Sequence, residues 1–348
     1  MLQRLLGRTR KKKINLALQG GGAHGAFTWG VLDHLLEDGR IHIAGVSGTS
    51  AGAMNAVMLA DGLARGGGDE ARKRLAEFWR AASIGGDLPG AQRAALDRVL
   101  ALMPVNASPV RFMVDTMSQM LSPYDLNPLN INPLKGLIER FVDFDAIRAF
   151  KDLDIFISAT NVHSGRLRVF TREEINADVV MASAALPLVF RAVEIEGEPY
   201  WDGGFTGNPA ILPLIEANEI DDVLVVQISP LSRNTTPTSA RDIMHRVNEI
   251  TFNSSLDSEL RAIEYIGRIA GKRGKAASQA GSIKVHRIVL DSTGKKLGTG
   301  TGLNADYDFF AVLHRAGRRA ARRFLDEHFN DIGRRSTLDL TETFAASA

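Results

Sequence analysis

The 348-residue chain contains no cysteine. That absence excludes disulfides, thiolate metal sites and a cysteine nucleophile, and it fits a cytoplasmic location. Charge of one sign is also lacking. Lys and Arg number 42 against 40 Asp and Glu, a formal net charge of +2, which argues against a nucleic-acid partner. No run approaches the roughly 18 apolar residues of a membrane-spanning helix, and no internal repeat is visible. What remains is 45% hydrophobic and 24% charged, the proportions of a globular protein able to bury a sizeable core.

The two ends differ from the middle. Arg4, Arg8, Arg10, Lys11, Lys12 and Lys13 make the start basic. The apolar run behind them, from Ile14 to Leu18, is too short for a signal h-region and meets glycines at once. Residues 1–13 are therefore expected to be a disordered tail, and 331–348 a second one. Two readings of the basic ends stay open: a solvated terminus, or peripheral contact with an anionic membrane surface. The helix expected from about Asp308 to Phe329 carries Arg315, Arg318, Arg319, Arg322 and Arg323. That stripe suits either a solvated face or a layer of phospholipid headgroups.

The body, 14–330, opens in α/β grammar. Ile14 to Leu18 reads as a buried strand ended by glycines. A helix pattern runs from Phe27 to Glu37, a second strand from Ile41 to Val46, and a helix apolar nearly all round from Ala51 to Leu63. Strand, loop, helix, strand, turn, helix is the rhythm of a mainly parallel sheet. Residues 81–150 break it with an amphipathic helix near Ala91 to Met103 and a proline-punctuated segment. Met103, Met113, Met117 and Met120 cluster just before that segment. Methionine is unbranched and polarizable, so this insertion reads either as a helical subdomain with an adaptable core or as a lid over an acyl chain. Further strands are expected near 153–159, 166–171, 193–201, 222–228 and 283–290.

Three short motifs carry chemistry. Gly48-Thr49-Ser50-Ala51-Gly52 places a serine between a strand and a buried helix, where a strained turn pushes its hydroxyl outward. The helix behind it adds positive potential from unpaired amides. Gly20-Gly21-Gly22-Ala23-His24-Gly25 also satisfies a dinucleotide-binding fingerprint. That reading expects an acidic residue at the end of the second strand, where this chain has the serine turn instead. The alternative is an oxyanion hole, with glycine amides aimed at developing charge; such donors are worth roughly 2.7–4 kcal/mol each elsewhere. Asp202-Gly203-Gly204 follows a short strand and is by itself no more than a hairpin-turn signal. His163, His245, His286, His314 and His328 sit in no catalytic motif and are expected to be structural or solvated.

Together, and in this order, the three motifs resemble the patatin-like phospholipase family over about residues 14 to 215. Ala182-Ser183-Ala184-Ala185-Leu186-Pro187 resembles the family's approach to the third motif. The resemblance implies a patatin-like three-layer α/β/α fold with a mainly parallel central sheet and a helical lid-like insertion over 81–150. It implies a Ser50–Asp202 dyad in which the carboxylate is the base. It also implies an oxyanion hole drawn from Gly20, Gly21, Gly22, Ala23, His24 and Gly25, with the Ala51 amide added. Gly48, Gly52, Gly203 and Gly204 complete the motifs, and no metal or cofactor is needed. The family commonly has Arg or Lys where this chain has His24. An imidazole is charged only near or below a pKa of about 6.5, so His24→Ala is expected to cost more turnover at pH 6 than at pH 8.

The expected reaction is hydrolysis of a lipid or other acyl ester through a Ser50 acyl-enzyme. An acyltransferase or a polyester depolymerase would share the same oxyanion chemistry, and a lipid- or nucleotide-binding protein with vestigial motifs is the alternative outside enzymes. The motifs leave head group, sn-position and oligomeric state open.

Overall fold

The computed structural model describes residues 11–83, 122–127, 130, 132–187, 189–231, 233, 235–273, 283–290 and 306–340. β1 (Lys12–Leu18) and β2 (Ile41–Gly48) are the first two strands, joined through a 3-10 turn and α1 (Gly25–Asp38). The helix ends where Gly39 turns left-handed at φ 71°, a conformation glycine adopts without a Cβ penalty. After β2 come α2 (Ala51–Gly66), α3 (Gly68–Ala81), and the short α4 (Pro123–Leu126), α5 (Pro133–Phe141) and α6 (Phe144–Ala149). Then follow β3 (Asp154–Asn161), β4 (Leu167–Thr171), α7 (Ala177–Ser183), β5 (Val193–Ile195), β6 (Glu198–Asp202) and α8 (Leu212–Ala217). β7 (Asp222–Gln227), α9 (Ala240–Arg273), β8 (Lys284–Val289) and α10 (Tyr307–His328) complete the described elements.

The strands form one sheet in the order β5-β6-β3-β2-β1-β7-β8, with β4 paired to β3. The run β3-β2-β1-β7-β8 is parallel throughout. Near-continuous apolar strands such as Val223–Val226 are what a sheet covered on both faces requires. Alternation sorts their side chains. Ile14, Leu16, Leu18, Val46, Leu224 and Val226 join the larger core with α1, α2, α3 and α10. Ala17, Val223, Val225 and Val285 join a second core with Leu256, Leu260 and Ile263 of α9. The result is the three-layer α/β/α arrangement expected.

β3 positions the two halves of the site. On one edge it pairs with β4 from Phe156 to Thr160. On its other edge it pairs with β2 only as far as Ile157, opposite Gly48. There β2 leaves the sheet, and β6 takes over the vacated edge with Asp202 opposite Ala159. The last residue of β6 thus lies two positions along β3 from the last residue of β2, beside the turn that holds Ser50.

Three expectations change. The basic start is not wholly a tail, because β1 begins at Lys12, whose ammonium donates to the carbonyls of Phe329 and Ile332 at 2.7 Å each. Nor is 331–340 disordered: Thr337 and Leu338 donate to the Val285 carbonyl, and Gly333 to Asp222. Burial of Ile332 and Leu338 supplies the apolar anchor that composition alone did not reveal. The arginine stripe of α10 is neither uniformly solvated nor a free basic face, since Arg318 binds Asp33 and Glu37. Most of the expected insertion, including its four methionines, falls outside the described residues. Among the described residues, no helix is long and apolar enough to cross a membrane.

Candidate active site

Ser50 sits at φ 54° and ψ −119°, in a region that side chains with a Cβ rarely occupy. Such strain persists only where neighbours over-determine it. They do so here. The Ser50 amide donates to Ser183 Oγ at 2.9 Å, and the Thr49 hydroxyl donates to the Gly207 carbonyl at 2.6 Å. A Cβ on Gly52 would lie 2.1 Å from the Leu18 carbonyl oxygen, and one on Gly48 would lie 2.5 Å from the Gly52 carbonyl oxygen. The two motif glycines therefore let α2 start against the ends of β1 and β2, which is the sharp turn the serine needs.

Asp202 enters from β6. Its amide donates to the Ala185 carbonyl at 2.9 Å, so the end of α7 and the residues just after it clamp both Ser50 and Asp202. The residues after Asp202 form a 3-10 turn, Gly203–Phe205, rather than a hairpin. This turn brings the Gly204 amide to Asp202 Oδ1 at 2.7 Å. Glycine is needed at 203 because a Cβ would meet the Ser158 carbonyl oxygen at 2.3 Å. Asp202 is completely buried, and Oδ2 has no hydrogen-bond partner. The Ser50 hydroxyl lies near enough to favour the charged carboxylate, though not in hydrogen-bond geometry. Burial outweighs that help and the Gly204 amide, pushing the carboxyl up to about 7. Among the described residues, no charged side chain contributes to that shift.

The glycine loop lies against the same point. A Cβ on Gly20 would come within 2.6 Å of the Thr49 carbonyl oxygen and 2.9 Å of Ser50 Cβ. Not every amide expected to face an oxyanion is available, however. The Gly20 amide already donates to Asn208 Oδ1 at 2.6 Å, His24 donates to the Gly21 carbonyl, and Gly25 to Ala23 and Gly22. Gly20, His24 and Gly25 are thus corrected from amide donors to frame. Among the described residues, no hydrogen bond uses the amides of Gly21, Gly22, Ala23 or Ala51 as donors. The His24 side chain is pushed below its ordinary pKa, chiefly by burial, with Glu249 opposing and Arg233 adding to the shift.

His286 and His314 stay out of the site. His286 bonds Asp222 and Thr337, and His314 bonds Asp33 and stacks on Trp29. Sequence reasoning missed Ser183, Gln19 and Asn208. Gln19 Oε1 accepts from the Ile228 and Ser229 amides at 2.8 Å each, and its Nε2 donates to Asn253 at 2.9 Å. An Asn-Pro pair six residues after Asp202 was the one local signal for Asn208; its partner lies 188 positions away. A cavity of about 770 Å³ lined by Lys11, Lys13, His42 and Asp154 opens at the opposite end of the strands and touches neither Ser50 nor Asp202.

From the Asn253–Gln19 contact, α9 runs back some 13 residues to Ala240, about 20 Å at 1.5 Å per residue. Along this arm Ile243, Met244, Val247 and Ile250 are exposed, with Leu231 exposed on the loop beside it.

A family model described as Patatin-like phospholipase matches residues 16–215. Among solved structures, VipD from Legionella pneumophila is 17% identical, with 90% of this chain and 67% of that chain covered, at a TM-score of 0.39. ExoU in its complex with SpcU from Pseudomonas aeruginosa is 16% identical, with 91% and 52% covered, at a TM-score of 0.38. The chain spans about half the length of ExoU. No curated protein matches it by sequence.

Proposed function

The chain belongs to the patatin-like phospholipase family, and from that premise we propose that it cleaves lipid carboxylic esters through a Ser50 acyl-enzyme, with Asp202 as general base. The observation that carries the reading is the state of Asp202. One carboxylate oxygen is anchored to Gly204, while the other is buried, unpartnered and close to a strained serine hydroxyl. An ordinary aspartate, with a pKa of about 3.9, is a poor base at neutral pH. A carboxyl raised to about 7 matches the pH at which it must accept and return a proton.

The reaction has two acyl-transfer steps. Ser50 Oγ attacks the ester carbonyl as its proton passes to Asp202 Oδ2. Negative charge on the tetrahedral oxygen is met by the unengaged amides of Gly21 and Gly22, with Ala51 at the start of α2 adding a donor and helix-end potential. The proton on Asp202 goes to the departing alkoxide, leaving an acyl-serine. Asp202 then takes a proton from water, whose oxygen attacks the acyl carbon; as the bond to Ser50 Oγ breaks, that proton passes from Asp202 to the serine oxygen and the acid is released. The exposed apolar arm of α9 supports a lipid over a water-soluble ester, since it offers acyl chains a surface leading away from the Gln19 end of the glycine loop.

A fluorophosphonate probe and a chain-length series of esters test this. Wild-type protein is expected to be labelled at Ser50 and to hydrolyse phospholipid vesicles. Ser50→Ala is expected to lose labelling and about 10⁶ in turnover. A wild-type protein that stays unlabelled, or a Ser50→Ala protein that still turns over, overturns the proposal.

A further inference from the structure

Asn208 is fully buried and its side chain spends every polar atom on other segments. Oδ1 accepts from the Gly20 amide at 2.6 Å. Nδ2 donates to the Phe252 carbonyl at 3.1 Å and, more weakly, to the Gly20 carbonyl at 3.5 Å. The backbone amide of Asn208 donates to Ser255 Oγ at 3.0 Å. The amide cannot be turned around, because Nδ2 would then face the Gly20 N–H and Oδ1 would face two carbonyls. One asparagine thus joins the glycine loop, the segment after Asp202 and the wall formed by α9.

We infer that Asn208 is the positioning residue that aims the Gly21 amide at the reacting carbonyl oxygen. The peptide between Gly20 and Gly21 is planar and trans, so its C=O and N–H point in opposite directions. Asn208 takes hold of that peptide on its carbonyl side and of the preceding one through the Gly20 N–H. The Gly21 N–H is consequently turned away from Asn208. Gly20 is wedged in the same space, where an added Cβ would lie 3.2 Å from Asn208 Oδ1 and 2.9 Å from Ser50 Cβ. A loop of three consecutive glycines has the backbone freedom to lose this orientation; Asn208 removes that freedom without touching the substrate. Thr49, donating to the carbonyl of neighbouring Gly207 at 2.6 Å, ties the serine turn to the same strip of chain.

This inference rests on the proposed acyl-enzyme reaction, and its test separates the two. Asn208→Asp keeps an acceptor for the Gly20 amide but cannot donate to the Gly20 and Phe252 carbonyls; Asn208→Ser shortens the reach. Both are expected to lower kcat about 100-fold, the scale of one missing oxyanion donor, with KM within twofold. Affinity for an acyl trifluoromethyl ketone, which forms a tetrahedral oxyanion on Ser50, is expected to fall by a similar factor. Affinity for the matching acyl alcohol, which forms none, is expected to stay within twofold. Equal losses for the two ligands, or wild-type kcat in a folded variant, overturn the role of Asn208. Failure of the wild-type protein to take the ketone or a fluorophosphonate overturns the reaction itself. Should neither variant fold, exchange of the wild-type Gly20 amide decides: strong protection supports the clamp, and exchange at the rate of an open loop overturns it.

Discussion

Asp33 and Asp202 are both buried aspartates, and their surroundings are opposites. Asp33, on α1, accepts from Arg72 Nε at 2.7 Å, from His314 at 3.0 Å and from Arg318. Hydrogen bonds from those three cationic or ring donors outweigh burial and hold its carboxyl well below the usual range. Nothing there is left to react. The α1–α10 contact it fastens is so close that a Cβ on Gly30 would strike the His314 carbonyl oxygen at 2.0 Å. Among the described residues, Asp202 has one amide, no cation and an orphaned oxygen. A region built for stability saturates its carboxylate; the edge proposed as catalytic withholds partners and so keeps a proton exchangeable near neutral pH.

Exchanging each aspartate for asparagine is the sharpest way to break this contrast. Asp202→Asn is expected to cut kcat about 10⁴-fold, as loss of the acidic member does in other serine hydrolases. At about pH 4, where the Asp202 carboxyl keeps its proton, its unfolding free energy should stay within about 1 kcal/mol of wild type, because a neutral amide can still accept from Gly204. Asp33→Asn should do the reverse. Breaking a buried pair costs about 3–5 kcal/mol, and partial exposure of the arginines reduces this to about 2–3 kcal/mol, while kcat per folded molecule stays within twofold. Urea melts and active-site titration measure both. If Asp33→Asn abolishes turnover in folded protein, the division of labour is wrong.

The two carboxyls also pull stability in opposite directions with pH. Asp202 is raised in the folded state, so its favourable contribution is present below the unfolded pKa of about 3.9 and is lost as pH rises through about 7. The rise from about 3.9 to about 7 sets a ceiling of about 4 kcal/mol on that loss. Asp33 is lowered, so its contribution is present above the unfolded value and disappears as pH falls below it. Subtracting Asp202→Asn stability from wild type between pH 4 and 8 should give a falling curve; the same subtraction for Asp33→Asn should rise from acid toward pH 5. Turnover of the wild type should climb through about pH 7 as Asp202 loses its proton. A flat wild-type profile from pH 5 to 8 would remove Asp202 as the base.

A smaller effect is expected at the arm of α9. Ile243→Glu combined with Val247→Glu adds two charges to an exposed apolar stripe. Hydrolysis of phospholipid vesicles should fall about tenfold, equivalent to ~1.4 kcal/mol of lost apolar contact, while a soluble short-chain ester is turned over at the wild-type rate. Equal loss on both substrates would mean that the arm shapes the site rather than receives lipid.

Much of this was readable in the chain because the relevant signals are local. Ser50 stands between an apolar strand and an apolar helix, and its flanking glycines announce the tight approach that the Leu18 carbonyl contact displays. The strand-helix alternation gave the layers for the same reason. What stayed hidden depends on contacts between distant segments. Asp-Gly reads as a hairpin until β3 changes partner from β2 to β6 and turns it inward. Gly20 reads as an oxyanion donor until Asn208, from far along the chain, claims its amide. The end of the chain reads as loose because Leu338 and Ile332 are isolated apolar residues whose burial depends on β8 and α10 being there.

His24 gives the smallest expected effect and the finest test of how the edge differs from the saturated region. The resemblance leads to the expectation of a permanent cation at this place, and a pH contrast between 6 and 8 follows for an imidazole with its ordinary pKa. Burial lowers that pKa, and Arg233 adds to the shift while Glu249, itself bonded to Arg233 at 2.8 Å, opposes it. The imidazole therefore takes up its charge in a more acid range than an ordinary histidine does. His24→Ala, with each rate divided by the wild-type rate at the same pH so that Asp202 titration cancels, should cost no more than about threefold at pH 8. The ratio should worsen as pH falls, in a more acid range than an unshifted imidazole would give. A loss of tenfold or more at pH 8 would mean that the neutral ring itself supports the loop; a ratio independent of pH down to 5 would mean that its charge never matters there.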